Sequence, residues 1–415
     1  LLIAITCVGC EEDKAHRQAD RAVEEYRAAD YQAAEEHLEP LAKKTNEDFV
    51  LNNCRLGSAA LVNYDLDEAE SAFLRAYEVI NSVGVNEGGR SLGAALVDEK
   101  IKVWKGEPFE RAMANFYLGL IYYMHNDYDN ARAAFENALF KLRDYSNNED
   151  KKDDYRELES NFVLATLMLA KCEQRLGKDE KAHADFAKVV ELRRDLAALA
   201  DENLNRDSNL LLVVDFGYGP RKVKSSDGAI VGFAPPPQRV GLIPRPRAVV
   251  DGQVANNQDI ALPTIDLLDM AQDRRWQDID TIRAIKSAVG TGLLVGGGVM
   301  GVKGLNEGGA RQRTDLEVAA GLAAAGLLLK ATSQADVRQW EMLPRSTFIL
   351  PLHVPPGTHD VTVDFPSVPG LQQIWRGLVV PDKGEATYYM RMQRYRNGPF
   401  DWPPPAMTQS SSGDH

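Results

Sequence analysis

At 415 residues, with 44% hydrophobic and 26% charged side chains, the chain is long enough for two or three domains and has a globular composition. Its net charge of −13 is unevenly placed: residues 1–200 hold 26 Lys and Arg against 38 Asp and Glu, and residues 201–415 hold 22 against 23. Neither half has the basic excess that phosphate binding requires, which argues against a nucleic-acid partner.

Residues 1–9 read as the end of an apolar targeting segment rather than as part of a fold. Val8-Gly9-Cys10, followed by Glu11-Glu12-Asp13, resembles a bacterial lipobox, in which a signal peptidase cuts before the Cys and Cys10 carries the lipid. The alternatives are a frayed apolar end or a Cys7/Cys10 dithiol of C-x-x-C spacing. Such a dithiol opens a helix after a strand, whereas here a polar stretch follows. A lipid on Cys10 implies attachment to a membrane without spanning it, with the bacterial outer membrane as the expected location. Cys54 and Cys172 fall in apolar helical patterns and read as buried thiols.

Residues 10–200 carry an internal repeat. Four segments align on Ala34, Ala69, Ala131 and Ala182, each closing a polar turn. Four residues after each stands a large apolar side chain, Leu38, Phe73, Phe135 and Phe186. Three further on are Leu41, Ala76, Ala138 and Val189, and twelve before are the small residues Ala22, Gly57, Gly119 and Ala170. This spacing is the tetratricopeptide pattern of paired helices. Small residues let the two helices of a pair approach closely, and the large residue fills the groove of the neighbour. The acidic turns offer N-cap oxygens to the second helices. A plain helical bundle with accidental rhythm is the bland alternative.

Successive anchor alanines lie 35, 62 and 51 residues apart, so the array is interrupted. The first insertion ends in Gly106-Glu107-Pro108-Phe109-Glu110-Arg111, where Pro108 suits a first helical turn and Glu107 and Glu110 favour its positive end. The second, Ser146–Tyr155, reads as a solvated charged linker. Arrays of this kind present an inner face to a peptide or partner domain. Asn115, Tyr122 and Asn161 lie on first helices, where groove residues come from, although most aromatics in such a stripe are core.

Residues 205–395 change to short runs punctuated by Gly and Pro. Strands are predicted at 209–216, 229–233, 239–243, 346–354, 358–365, 378–380 and 386–392, giving a small antiparallel β-sandwich. The fold class expected is therefore α+β multidomain: a helical solenoid followed by a sandwich, itself interrupted by a helical hairpin over 265–335. In that hairpin Ala284, Ala288, Gly292 and Gly296 recur every four residues, and Ala320 and Ala324 offer a matching face. Each mid-helix Gly costs about 1 kcal/mol relative to Ala, so close helix contact is expected to compensate. Tight packing in a soluble or oligomeric hairpin is favoured over membrane insertion, because the first run ends at Lys303, short of a span. Gly290-Thr291-Gly292 is a poor phosphate loop, since it follows a helical pattern and lacks the third Gly. Residues 396–415, Pro-rich and then Ser-rich, read as a disordered or extended tail.

No zinc-protease, nucleophile-elbow or P-loop motif occurs, and the seven His residues are scattered. His353 and His359 alone could meet, and two imidazoles make at most half a zinc site. No catalytic residue, cofactor or metal is expected. In Asp336-Val337-Arg338-Gln339-Trp340, Arg338 can meet a carboxylate and Trp340 can pack on the sandwich.

Three stretches together resemble an uncharacterised family of bacterial tetratricopeptide lipoproteins: the Cys10 start, Gly106–Arg111, and Ala335–Pro344 ahead of the last strands. That resemblance implies an envelope scaffold without assigned catalysis, working through protein partners by self-assembly or within a multiprotein complex. A pore-forming or membrane-inserting component, acting through the glycine-rich hairpin, is the alternative.

Overall fold

The computed structural model describes residues 2–81, 103–140, 162–204, 208–224, 231–236, 243–272, 337–393 and 399–401. The hairpin residues Ala284, Ala288, Gly292, Gly296, Ala320 and Ala324, the groove residue Asn161, the predicted strand over 239–243 except Ile243, and the tail beyond Asp401 lie outside these.

Helices come first: α1 (Leu2–Arg27), α2 (Tyr31–Ala42), α3 (Phe49–Asn63), α4 (Leu66–Asn81), α5 (Pro108–Met124), α6 (Tyr128–Phe140), α7 (Val163–Arg175), α8 (Asp179–Leu192) and α9 (Ala197–Leu204), with a short 3-10 turn at Arg194–Leu196. The first eight form four pairs. The same joint recurs in each. Ala29, Tyr64, Asn126 and Gly177, each five residues before the anchor alanine, take the left-handed conformation with φ of 63°, 64°, 62° and 72°. The following amide then bonds back to the carbonyl five residues earlier: Asp30 to Glu25 at 2.9 Å, Asp65 to Ala60 at 3.0 Å, Asp127 to Tyr122 at 2.9 Å and Lys178 to Glu173 at 2.9 Å. This closure satisfies carbonyls the helix end would leave orphaned. Asp30, Asp65 and Asp127 also accept amides of the next helix through their side chains. The fourth turn departs from the expected acidic cap, because Lys178 has no oxygen to offer and the side-chain cap is missing.

The close approach inside the pairs is visible at two glycines. A Cβ on Gly57 would lie 2.7 Å from the Phe73 ring, and one on Gly119 would lie 2.8 Å from Phe135. Ala22 and Ala170, at the corresponding positions of the other two pairs, are buried, as are Ala34, Ala69, Ala76, Ala131, Ala138 and Ala182. At the head of α5, the Glu110 carboxylate accepts the Glu107 amide at 2.8 Å, with Pro108 in the first turn.

The strands follow: β1 (Leu210–Phe216), β2 (Arg221–Lys224), β3 (Val231–Ala234), β4 (Arg247–Val250), β5 (Gln253–Val254), β6 (Ile265–Asp266), a short α10 (Leu267–Gln272), then β7 (Ser346–Leu352), β8 (Gly357–Asp364), β9 (Gln372–Val380), β10 (Ala386–Met392) and β11 (Pro399–Asp401). They form an inner sheet ordered β10-β1-β7-β6, an outer sheet ordered β11-β9-β8-β4-β5, and a β2-β3 hairpin. Most pairings are antiparallel, and two, β1 with β10 and β9 with β11, are parallel. Ile265–Asp266, expected to open a helix, instead pairs with β7, and the helix starts one residue later. The β4-β5 turn places Asp251 and Gly252 at positive φ, the requirement of a two-residue hairpin.

Leu210, Leu212 and Val214 of β1 pack against Val361, Val363 and Trp375 of the outer sheet, forming the sandwich core. Leu211 and Val213 of the same strand belong to the core of the helical array. The inner sheet is thus buried on both faces, which explains why β1 reads as a continuous apolar run. Helices, inner sheet and outer sheet form three successive layers.

Candidate functional site: the inner face of the helical array

The first helices of the pairs, α3, α5 and α7, line the face where a partner is expected. That face is already filled by this chain. Asn115 is 1% exposed, its Nδ2 donating to the Arg111 carbonyl at 2.8 Å, so it contacts protein interior rather than a partner. Tyr122 is half-buried near Glu70 and Asp127, and burial raises its phenol above the ordinary range. Asn115, expected to face a partner, is instead enclosed within the array.

Three clusters fasten the module. Asp215, the single acid in β1, accepts hydrogen bonds from the hydroxyls of Tyr117 on α5 (2.6 Å), Tyr389 on β10 (2.7 Å) and Thr347 on β7. Burial raises the Asp215 carboxyl, with the Arg391 guanidinium opposing. Glu385, just ahead of β10, accepts from Tyr123 at 2.9 Å and Lys171 at 3.0 Å and pairs with Arg175 at 2.9 Å. Burial pushes Glu385 up, but the two cations outweigh it and hold the carboxyl below its usual range. Tyr64, at the left-handed end of α3, accepts the Tyr389 amide at 2.9 Å and donates to the Tyr389 carbonyl at 2.6 Å. A helix residue thereby caps the otherwise free edge of β10.

A fourth fastening is the stretch 337–345, which has neither helix nor strand. Arg338 Nη1 donates to Asp48 Oδ1 at 3.0 Å and to the Glu47 carbonyl at 2.9 Å. Its own carbonyl accepts from Trp104 Nε1 at 3.1 Å and Lys222 Nζ at 2.7 Å. The Trp340 amide donates to Glu110 at 2.8 Å and its indole N–H to Ser58 Oγ at 3.0 Å. The ring lies 5.9 Å from Phe73 and 5.8 Å from Tyr117, centroid to centroid. Arg55 holds Glu341 with two bonds, of 3.0 and 2.6 Å. Burial pushes Glu110 up to about 6, against the pull of Lys222. Arg338 thus meets a carboxylate as expected, whereas Trp340 packs on the array rather than on the sandwich, because its N–H finds Ser58 there.

Other sequence candidates take structural places. Cys54 and Cys172 are buried thiols, and burial raises both. His359 meets Asp251 at 2.6 Å and the Pro355 carbonyl at 2.7 Å, not His353, and the Asp251 hydrogen bond raises its imidazole. His16, Glu47 and Asp48 come close enough together to hold a cation, but Asp48 is already paired with Arg338. Among the described residues no helix is long and apolar enough to cross a membrane. Cys10 lies within α1. Sequence reasoning missed Asp215, Glu385, Glu341 and Tyr389. The signal available for Asp215 was a lone acid inside an apolar strand.

No known protein family matches the chain, and neither does any curated protein. Similar solved structures include MamA, at 17% identity over 46% of this chain and 79% of that one, with a TM-score of 0.31. A second MamA structure aligns at 16% identity over 46% and 86%, again with a TM-score of 0.31. The TPR-like repeats of a Podosopora anserina kinesin light chain align at 14% identity over 46% and 84%, also with a TM-score of 0.31.

Proposed function

We propose that the chain is a protein-interaction scaffold, lipid-anchored through Cys10 in a bacterial envelope, most simply at the outer membrane, and part of a larger or self-assembled complex. The observation that carries this reading is the closure of the array on its own module. Buried tyrosines, Asp215 and Glu385 serve as fasteners between layers, so the chain presents one fixed block to its surroundings. Asp215 is 0% and Glu385 6% exposed, which suits holding layers together and not reaching a substrate. The Val8-Gly9-Cys10 motif supports the anchor.

The position of Cys10 sets a geometry. It precedes Ala19, a buried residue of α1, by nine residues, which span about 13 Å of helix. A lipid there keeps the array close against the membrane surface. Expression with the natural N-terminus in a Gram-negative host, followed by detergent phase partition and mass spectrometry, tests the anchor. The expected product begins at a diacylglyceryl-modified Cys10, and Cys10→Ala moves the protein to the aqueous phase. An unmodified Cys10 in membrane-competent cells overturns it. Photo-crosslinking from Tyr122 on α5 and from Glu136, exposed on α6, in the same cells tests the scaffold role, which fails if no protein adduct forms.

A further inference from the structure

Where α1 passes the turn into α3, His16, Glu47 and Asp48 gather so that one ligand atom from each lies within 4.8 Å of the others. His16 and Asp48 stand 32 residues apart, so no motif spacing marks the set. His16 Nε2 is 3.3 Å from Asp48 Oδ2. Charge-assisted N–H···O bonds are shorter, about 2.7–2.9 Å. Two ligands of a tetrahedral zinc ion, with bonds of about 2.0–2.2 Å, lie roughly 3.4 Å from one another, close to the separation found here.

The surroundings of Asp48 point the same way. It occupies the N-cap of α3, where an Asp side chain ordinarily accepts an amide of the first turn, yet it makes no such bond. Its carboxylate, 10% exposed, is directed to Arg338 and His16 instead. Arg338 takes one oxygen only: Oδ1 accepts from Nη1 at 3.0 Å, which orients the carboxylate and leaves Oδ2 to the cluster. An outer hydrogen bond of this kind on a ligating carboxylate is a regular part of a metal site. The Glu47 carbonyl is pinned by the Trp104 amide at 2.8 Å and by Arg338 at 2.9 Å, while its side chain stays exposed and can close onto an ion.

We propose that His16 Nε2, Asp48 Oδ2 and a Glu47 carboxylate oxygen bind a zinc ion, with water in the fourth position. One imidazole and two carboxylates suit zinc better than calcium or magnesium, which take oxygen ligands. The two carboxylate charges balance the ion. It clips α1 to the head of α3 and, through Arg338, to the segment that fastens the β module. The site needs no partner protein and so stands apart from the scaffold reading.

The test titrates the full chain, in detergent micelles, with zinc chloride by isothermal calorimetry, and with calcium chloride in parallel. Saturable zinc binding is expected, together with a melting temperature that rises with zinc concentration. His16 keeps about half of its side chain exposed and Glu47 is exposed, so His16→Ala and Glu47→Gln leave the fold intact, as circular dichroism checks. Each is expected to weaken zinc binding at least about tenfold, the least that losing even an outer partner costs, and to abolish the zinc-dependent shift in melting. Cys7 and Cys10 are present in all three proteins, so zinc held by thiols does not produce the difference. Absence of saturable zinc binding, equal affinity for calcium, or either variant binding zinc as tightly as the wild type overturns the site.

Discussion

Glu385→Ala is expected to be among the most damaging single changes at the junction, and the structure says why. Lys171 is 1% exposed and its ammonium bonds to Glu385 at 3.0 Å. Removing the carboxylate leaves a buried cation without its counter-charge, a change that costs about 3–5 kcal/mol. Arg175 keeps about a fifth of its side chain exposed and can turn to water, so it adds little. Tyr123 loses an acceptor, adding about 1 kcal/mol. Because Glu385 adjoins β10 and its partners sit on α5 and α7, the loss falls on the joint between array and module. Urea unfolding followed in parallel by far-ultraviolet circular dichroism and Trp fluorescence measures it. The wild type is expected to lose both signals in one transition, and Glu385→Ala to separate them or lower both midpoints. The double variant Lys171→Met, Glu385→Leu removes both charges and is expected to recover most of the stability, since apolar replacement of a buried pair is often neutral. A cost under about 1 kcal/mol for the single variant, or a double variant no better than the single, refutes the account.

Four further outcomes concern the array. Burial raises Glu35 to about 7, with Asp65 and Glu68 adding to the effect, so the folded chain holds a proton there that the unfolded chain has lost above about 4.5. Stability through this group falls as pH rises between those values, and Glu35→Gln is expected to stabilise by about 1–2 kcal/mol at pH 8 while being neutral at pH 4, after discounting its partial exposure. Equal effects in melts at both pH values count against it. Gly57→Ala places a methyl 2.7 Å from the Phe73 ring and is expected to cost about 1–3 kcal/mol, partly restored by Phe73→Leu in denaturant titrations. At the pair joints, Gly177→Ala has no atom within 4 Å of its new Cβ, yet is expected to cost about 1 kcal/mol through its φ of +72° alone. Ala29→Gly is expected to gain a similar amount in melting experiments, less the small loss of its buried methyl.

The helical half was legible in the sequence because its stabilising contacts are local. A tetratricopeptide pair meets itself at fixed spacings, so Gly57 with Phe73 and Gly119 with Phe135 could be matched by counting residues. The left-handed joint at Ala29, Tyr64, Asn126 and Gly177 recurs at one position too, but three of its four residues are not glycine, so residue type concealed it. Alternation likewise marked β8 and β10, and apolar runs between Gly and Pro marked β1 and β7, while β5 and β6, two residues each, are too short to show either.

What covers the inner face was decided by tertiary structure. Asp215 and Tyr117 stand 98 residues apart, Arg55 and Glu341 stand 286 apart, and no local pattern couples them. Asn115 looked partner-facing because a first-helix position says which helix a side chain stands on, not what lies against it. The sequence by itself determined the repeat, its interruptions and most of the longer strands, each a matter of neighbours within a few turns of chain. Only the folded chain decided that the array closes on its own β module, because that choice depends on burying both faces of β1 and pairing charges that meet nowhere along the sequence.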